Sequence, residues 1–232
     1  MLKFTPLEKL EVQKPVNRLS YVSQFCKNKK VLDIGCYDET AIKLKENNGY
    51  WLHGLIAKQA KKVIGIDSSE KIKFEIKTSS RSKIIRLNLY DINESFSKNN
   101  KVEVIVAGEL IEHIPDVTKF LQLLKKLYPK KILLLSTPNA TSLISIFLAI
   151  FSRESNHKDH LQIFSYKTLH ALCIKNGFKK FKIIPYNVKF SEMYLKSSRV
   201  TGFFILLLEK IINVGENIFP MLSGGYIVKV EL

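Results

Sequence analysis

Glu109-Leu110-Ile111-Glu112-His113 is the densest group of chemistry-bearing residues in the chain. Two carboxylates and an imidazole converging on one loop can hold a divalent cation, or His113 can serve as a general base, since histidine titrates near neutral pH. A hydrogen-bonded loop is the plain alternative. Two further acids stand where buried apolar runs end. Val31-Leu32-Asp33-Ile34-Gly35-Cys36 closes on an acid, an apolar residue and a glycine, and Ile64-Gly65-Ile66-Asp67-Ser68-Ser69 delivers a second carboxylate. In a doubly wound sheet the ligand lies beyond the carboxyl ends of the strands. A glycine there lets the backbone approach it, and an acid ending the second strand accepts hydrogen bonds from both ribose hydroxyls of a nucleoside.

The loop after that first run discriminates among nucleoside cofactors. Gly35-Cys36-Tyr37-Asp38-Glu39-Thr40 lacks the G-x-G-x-x-G spacing that seats a pyrophosphate on a helix N-terminus, and Asp38 and Glu39 repel phosphate. NAD is therefore disfavoured against S-adenosylmethionine (SAM), which presents an ammonium, a carboxylate and a sulfonium. A noncatalytic nucleoside-binding protein of the same fold is the rival from a different class.

Such residues need strands to carry them to one edge. Short β-branched runs alternate with helical stretches, the pattern of a parallel sheet with crossover helices. Strands are expected at Val31–Gly35, Lys62–Asp67, Lys83–Asn88, Val102–Ala107, Lys131–Ser136, Phe178–Ile184 and Gly225–Val230. Helices are expected at Lys14–Phe25, Trp51–Ala60, Val117–Leu127 and Tyr166–Asn176, the last stopped by Gly177. The fold expected is α/β: a Rossmann-like, seven-stranded doubly wound sheet, mostly parallel with an antiparallel last strand, helices on both faces. Residues 37 to 50 read as an extra loop over the site, and His53 as a capping or surface histidine first and as a residue lining the site second.

In order and spacing, residues 15 to 187 resemble the class I SAM-dependent methyltransferases. VLDIGC looks like their first motif, VIGIDSSE their second and IIRLNLYD their third. VEVIVAGELIEHIPD is similar to a phrase of the small-molecule O-methyltransferase branch that includes ubiquinone-biosynthesis enzymes, and ILLLSTPN and the later H-x-x-x-F-S and N-G-F series complete the set. The resemblance implies that Asp33, Gly35 and Cys36 face the methionyl end of SAM and that Asp67 and Ser68 hold the ribose. It puts Asn88 and Leu89 at the adenine, Asn88 standing where the family often has aspartate. It implies His113 as the catalytic base, or a divalent cation such as Mg on Glu109, Glu112, His113 and a later histidine, His160. The acceptor is expected to be a small molecule, a sugar or a lipid-linked intermediate methylated on oxygen, with RNA 2′-O-methylation as the alternative. One domain over 1–232 is expected, with an N-terminal helical segment at 1–30 and acceptor-side covers at 140–160 and 188–224.

Composition narrows this further. The net charge is +16, and the cations are lysines except for Arg18, Arg81, Arg86, Arg153 and Arg199. Lysines spread along the chain describe a solvated surface better than a bidentate phosphate reader, so nucleic acid is not favoured as a partner. Three scattered cysteines fit reduced, buried thiols, and the N-terminus lacks a secretory pattern, which points to the cytoplasm. The apolar runs Ala140–Phe151 and Gly202–Leu208 fall short of a membrane span. They read as core helices or site covers first, and as peripheral membrane contacts second.

Overall fold

A computed structural model describes residues 7–39 and 42–232. In chain order its elements are α1 (Arg18–Phe25), β1 (Lys30–Ile34), α2 (Ile42–Asn47), α3 (Leu52–Gln59), β2 (Lys62–Asp67), β3 (Glu75–Ser79), β4 (Ser82–Arg86) and α4 (Glu94–Asn99). There follow β5 (Val104–Gly108), α5 (Val117–Leu127), β6 (Ile132–Pro138), α6 (Leu143–Ile150), α7 (Tyr166–Lys175), β7 (Phe181–Tyr186), α8 (Ser191–Lys196), α9 (Arg199–Ile218) and β8 (Gly225–Glu231).

The strands form one sheet in the order β3-β4-β2-β1-β5-β6-β8-β7. β4, β2, β1, β5 and β6 pair in parallel, and β8 inserts antiparallel between β6 and β7. The chain leaves β1 towards β2 on one side and returns to β5 on the other, so a crevice opens at the carboxyl ends of β1 and β5. The central strands are apolar on both sides because helices cover both faces. α5 and α7 press Phe120, Leu121, Leu124 and Leu169 onto one face, and Val22 of α1 and Ile56 of α3 close the other.

Local chemistry sets the element ends. Asp116 caps α5 by accepting from Lys119 N at 2.8 Å, and Gly177 ends α7 at φ +70°, a conformation other residues adopt only with strain. The expected helix from Lys14 instead begins at Arg18. Val16 is extended against the sheet edge, its N–H donating to Pro185 O at 2.9 Å, and Asn17 caps the helix. Among the described residues the sheet has eight strands rather than seven. The additional β3 is an exposed antiparallel edge whose Glu-Ile-Lys-Thr-Ser carries one apolar side chain, too few for an alternation signal. Residues 37 to 50 are not all loop, since α2 lies within them. Cys26, Cys36 and Cys173 are free and buried. Among the described residues no helix is long and apolar enough to cross a membrane.

Candidate active site

β1 and β2 run in register, Asp33 beside Gly65, so their ends share one edge. Asp33 is 2 % exposed, and its Oδ2 lies 2.9 Å from His53 Nδ1, whose Nε2 reaches Ser82 Oγ at 2.8 Å. His53 is therefore neither a cap nor a surface residue. It bridges the first acid to the start of β4, because α3 delivers it across β2 where Gly65 has no side chain. A Cβ on Gly65 would lie 2.8 Å from His53 Cε1 and 2.5 Å from Cys36 Sγ. Burial keeps the Cys36 thiol protonated, its acidity suppressed further by Asp33 and Asp67. Cys36 with Asp33 and His53 thus makes a packed core rather than a thiolate centre.

Asp67 holds the loop. Its Oδ2 accepts from Tyr37 N at 2.9 Å and its Oδ1 from Ser69 N at 3.0 Å. Each carboxylate oxygen has a second lone pair free for a ligand. Burial raises the Asp67 pKa, and these two bonds oppose the rise. Gly35, at φ +70°, turns the chain out of β1, and a Cβ there would sit 2.7 Å from Leu110 Cδ1. The acidic loop residues are anchored: Glu39 by Ser69 and Lys71, and Asp38 by Lys45, which also binds Glu192 of α8 at 2.6 Å. The last ion pair ties the 188–224 segment to the loop.

On the opposite rim, Glu109 takes a left-handed φ of +51°, unusual for a residue with a side chain and typical of functional sites. Tyr186 donates its hydroxyl to Glu109 Oε1 at 2.7 Å, and Arg18 Nη2 lies 3.4 Å from Oε2. Burial and the Glu109 carboxylate push the Tyr186 phenol well up. Glu112 is 1 % exposed, and neither oxygen has a well-formed hydrogen bond, although its own backbone N–H and the Thr137 hydroxyl lie close enough to favour its ionised form somewhat. Burial first, then Glu109, raises its pKa to about 8. His113 Nδ1 is 3.1 Å from Asp159 O. A carbonyl only accepts, so Nδ1 carries a proton, and in the neutral form of the ring Nε2 is the nitrogen with the lone pair.

His160 arrives from far along the chain because Leu161 N and Gln162 N both donate to Glu112 O, at 2.8 and 3.2 Å. Its Nδ1 is buried without a partner, and burial followed by the neighbouring His113 lowers its pKa. Ligand atoms of Glu112, His113 and His160 lie within 4.8 Å of one another. Glu109, expected with them, is drawn to Arg18 and Tyr186 instead.

One cavity of about 540 Å³ joins both rims. Asp33, Gly35, Cys36, Asp67, Glu109, Glu112, His113 and His160 line it, whereas Ser68, Asn88 and Leu89 lie outside its lining. Ser68 and Asn88 are exposed, Asn88 accepting from Tyr90 N, and Leu89 packs against the core. Its full cations, Arg18 and Lys45, face the carboxyl groups of Asp33, Asp38, Asp67, Glu109, Glu112 and Glu192. In a chain of net charge +16 this is a local reversal of sign, suited to a cationic ligand and hostile to a phosphate. A second cavity of about 390 Å³ adjoins it, sharing Arg18, Glu109 and His160 and reaching α6.

The sequence matches the methyltransferase domain family over residues 7–183. It belongs to that family. No curated protein matches it. A SAM-dependent methyltransferase from Archaeoglobus fulgidus is 20% identical and superposes at TM-score 0.51, covering 92% of this chain and 90% of its own. A cyclopropane-fatty-acyl-phospholipid synthase-like protein from Lactobacillus casei is 12% identical at TM-score 0.55, covering 93% and 89%. The small RNA methyltransferase HEN1 is 14% identical at TM-score 0.57, covering 92% of this chain and 25% of that one. The methyltransferase thus has the fold of SAM-dependent enzymes.

Sequence reasoning missed Arg18 and Tyr186. Arg18 had one signal, an arginine in a chain whose cations are almost all lysine, and Tyr186 had none. Glu109→Ala in this methyltransferase leaves Arg18 without its counter-ion. Stability is expected to fall by about 2 kcal/mol, discounted from a fully buried pair because Glu109 is 38% exposed, and the melting temperature by roughly 4–8 °C. The double variant Arg18→Met/Glu109→Leu should recover only part of that loss, because the Tyr186 hydroxyl still lacks its acceptor. Thermal denaturation at neutral pH decides it, and a Glu109→Ala melt matching wild type would mean that the ion pair does not stabilise.

Proposed function

We propose that this methyltransferase uses SAM to methylate an oxygen of a small-molecule, sugar or lipid-linked acceptor. The observation that carries the reading is the acidic cavity: two strand-end carboxylates, Asp33 and Asp67, on one rim and His113 on the other. SAM, when bound, supplies a methyl group on a sulfonium. Asp67 accepts the ribose hydroxyls in this reading, and the backbone of Gly35 faces the amino-acid end, its missing side chain making room for Leu110.

The chain's own work is then positioning, proton removal and exclusion of water. With SAM bound, the acceptor oxygen would gain the methyl group as the carbon–sulfur bond gives its electron pair to sulfur, and His113 Nε2 would take the proton that the acceptor loses. Arg18 and Lys45 are each paired with carboxylates, so neither opposes the cationic methyl donor.

Calorimetric titration with SAM, S-adenosylhomocysteine and NAD should show the first two binding at one site and NAD not at all. NAD binding, or no nucleoside binding, would overturn the reading. Turnover is measured with methyl-labelled SAM against total lipid extract and total RNA in parallel. His113→Ala should lower lipid labelling by roughly 10²–10⁴-fold with SAM affinity kept. Label entering RNA alone would replace the acceptor class with nucleic acid.

A second reading concerns a divalent cation. Glu112, His113 and His160 fit one in ligand type, and the oxygens of buried Glu112, without a well-formed hydrogen bond, favour it. These three residues would hold the ion, which would lower the pKa of an acceptor hydroxyl. Glu109 is committed elsewhere and would join only by leaving Arg18 and Tyr186. Chelator lowering both activity and melting temperature supports this reading, and indifference to chelator removes it.

A further inference from the structure

α9 is amphipathic in the wrong sense for a helix in water. Its protein-facing side holds Gly202, Ile205, Ile212 and two glutamates. Glu209 accepts from Phe190 N at 2.8 Å and Lys189 Nζ at 2.6 Å, and Glu216 from Val188 N at 3.1 Å and Asn187 Nδ2 at 2.9 Å. Both carboxylates are thus spent anchoring the 187–190 segment. The outward side, at helical spacing, is Phe203, Phe204, Leu207, Ile211, Val214 and Ile218, each 45–64 % exposed.

α6 extends the same face. None of its residues is buried, and Phe147, Ile150 and the following Phe151 are 55–73 % exposed. The two helices touch where Leu143 meets Gly215, whose missing Cβ would lie 3.1 Å from Leu143 Cδ2. Neither apolar run is therefore a core helix, which leaves the other two readings of the sequence, a site cover and a membrane contact. A monomer seldom leaves so large a contiguous apolar patch in water.

The charge around the patch selects its occupant. With both α9 acids buried, the charged groups left exposed on this helix are both cationic, Arg199 and Lys210; nearby, Arg153 is followed by the exposed Glu154 and Lys196 is paired with Glu192 at 3.4 Å, so those two add no net charge. We propose that α6 and α9 form an interfacial membrane anchor, lying in the plane of an anionic bilayer with their aromatic and aliphatic side chains below the headgroups and Arg199 and Lys210 among them. Neither helix is long and apolar enough to cross.

The anchor also bears on substrate access. Ile144 and Ser145 of α6 line the second cavity, so an acceptor with a lipid tail reaches the site without leaving the membrane surface. That step rests on the methyltransferase reading; the docking does not.

The test is flotation of the full chain with vesicles of phosphatidylcholine alone and of equal parts phosphatidylcholine and phosphatidylglycerol. The chain should float with the anionic vesicles and far less with the neutral ones. Replacing Phe203, Phe204, Leu207 and Ile211 together by serine should weaken the partition by on the order of a hundredfold, with melting temperature and SAM affinity unchanged. A Phe204→Trp variant should shift its emission to the blue on adding anionic vesicles. Flotation of the quadruple variant like wild type, or no flotation of wild type, overturns the proposal. Sedimentation velocity separates the commonest alternative: a dimer abolished by the same four substitutions, without vesicle binding, would assign the face to a second copy. Failure to bind SAM would count against the proposed activity and leave the flotation result standing.

Discussion

Glu112→Gln is expected to stabilise the protein at about pH 9 by on the order of 2–4 kcal/mol, raising the melting temperature by roughly 5–10 °C, with the gain shrinking towards zero below about pH 4. The reason is the pKa of about 8 that burial and Glu109 impose on this carboxyl group, against an ordinary value near 4.3 in an unfolded chain. Between those values the folded state keeps a proton that the unfolded state has released, so stability falls as pH rises through the window and is flat above it. Glutamine has no proton to lose and escapes the slope. At low pH both side chains are neutral and their difference disappears. The measurement is thermal denaturation against pH in chelator, so that the group titrates without metal. Parallel curves for the two proteins from about pH 5 to pH 9 would show that Glu112 is solvated or partnered in solution. Repeating the series with Mg or Mn tests the cation reading, because a bound divalent ion would hold Glu112 ionised and give wild type the advantage.

The other large effect is on donor binding. Asp67→Ala removes the acceptors proposed for the two ribose hydroxyls and also those for Tyr37 N and Ser69 N, freeing the loop that lines this side of the cavity. A lost hydrogen bond to a charged group costs about 1.5–3 kcal/mol, or roughly 10- to 150-fold in dissociation constant. The larger value is expected here because both functions fail together. Asp67→Asn keeps one acceptor and should lose less. Calorimetry with S-adenosylhomocysteine reads the result without an acceptor substrate, and Asp67→Ala binding as tightly as wild type would remove Asp67 from the site.

The first half of the site was legible in the sequence because it follows from strand geometry. A buried apolar run ending in an acid puts that acid at the carboxyl edge wherever a parallel sheet forms, and so Asp33, Gly35 and Asp67 could be placed together without coordinates. α5 was legible to the residue, its apolar positions recurring at helical spacing behind a capping aspartate. The short distance between Glu112 and His113 was likewise local. What the sequence left undetermined depended on long-range contacts. His53 lies 20 positions from Asp33, and no periodicity tells that the missing side chain of Gly65 admits it to the core. Arg18 and Tyr186 reach Glu109 only because Val16 docks on the edge of β7 and β8 inserts between β6 and β7. That pairing took Glu109 away from the histidines and left Glu112 alone and buried among them.

The apolar runs show the same division. Hydrophobicity alone does not distinguish a helix turned towards the core from one turned towards solvent. On α9 the two glutamates settled the direction: once they satisfied the backbone of the 187–190 segment, the hydrocarbon side had only the outside to face. Sequence by itself determined which residues stand at the strand ends and which runs are apolar, because both are properties of neighbours along the chain. Tertiary structure decided which acids are paired, which is left bare, and which way the greasy helices point, because each depends on groups that only folding brings within a few ångströms.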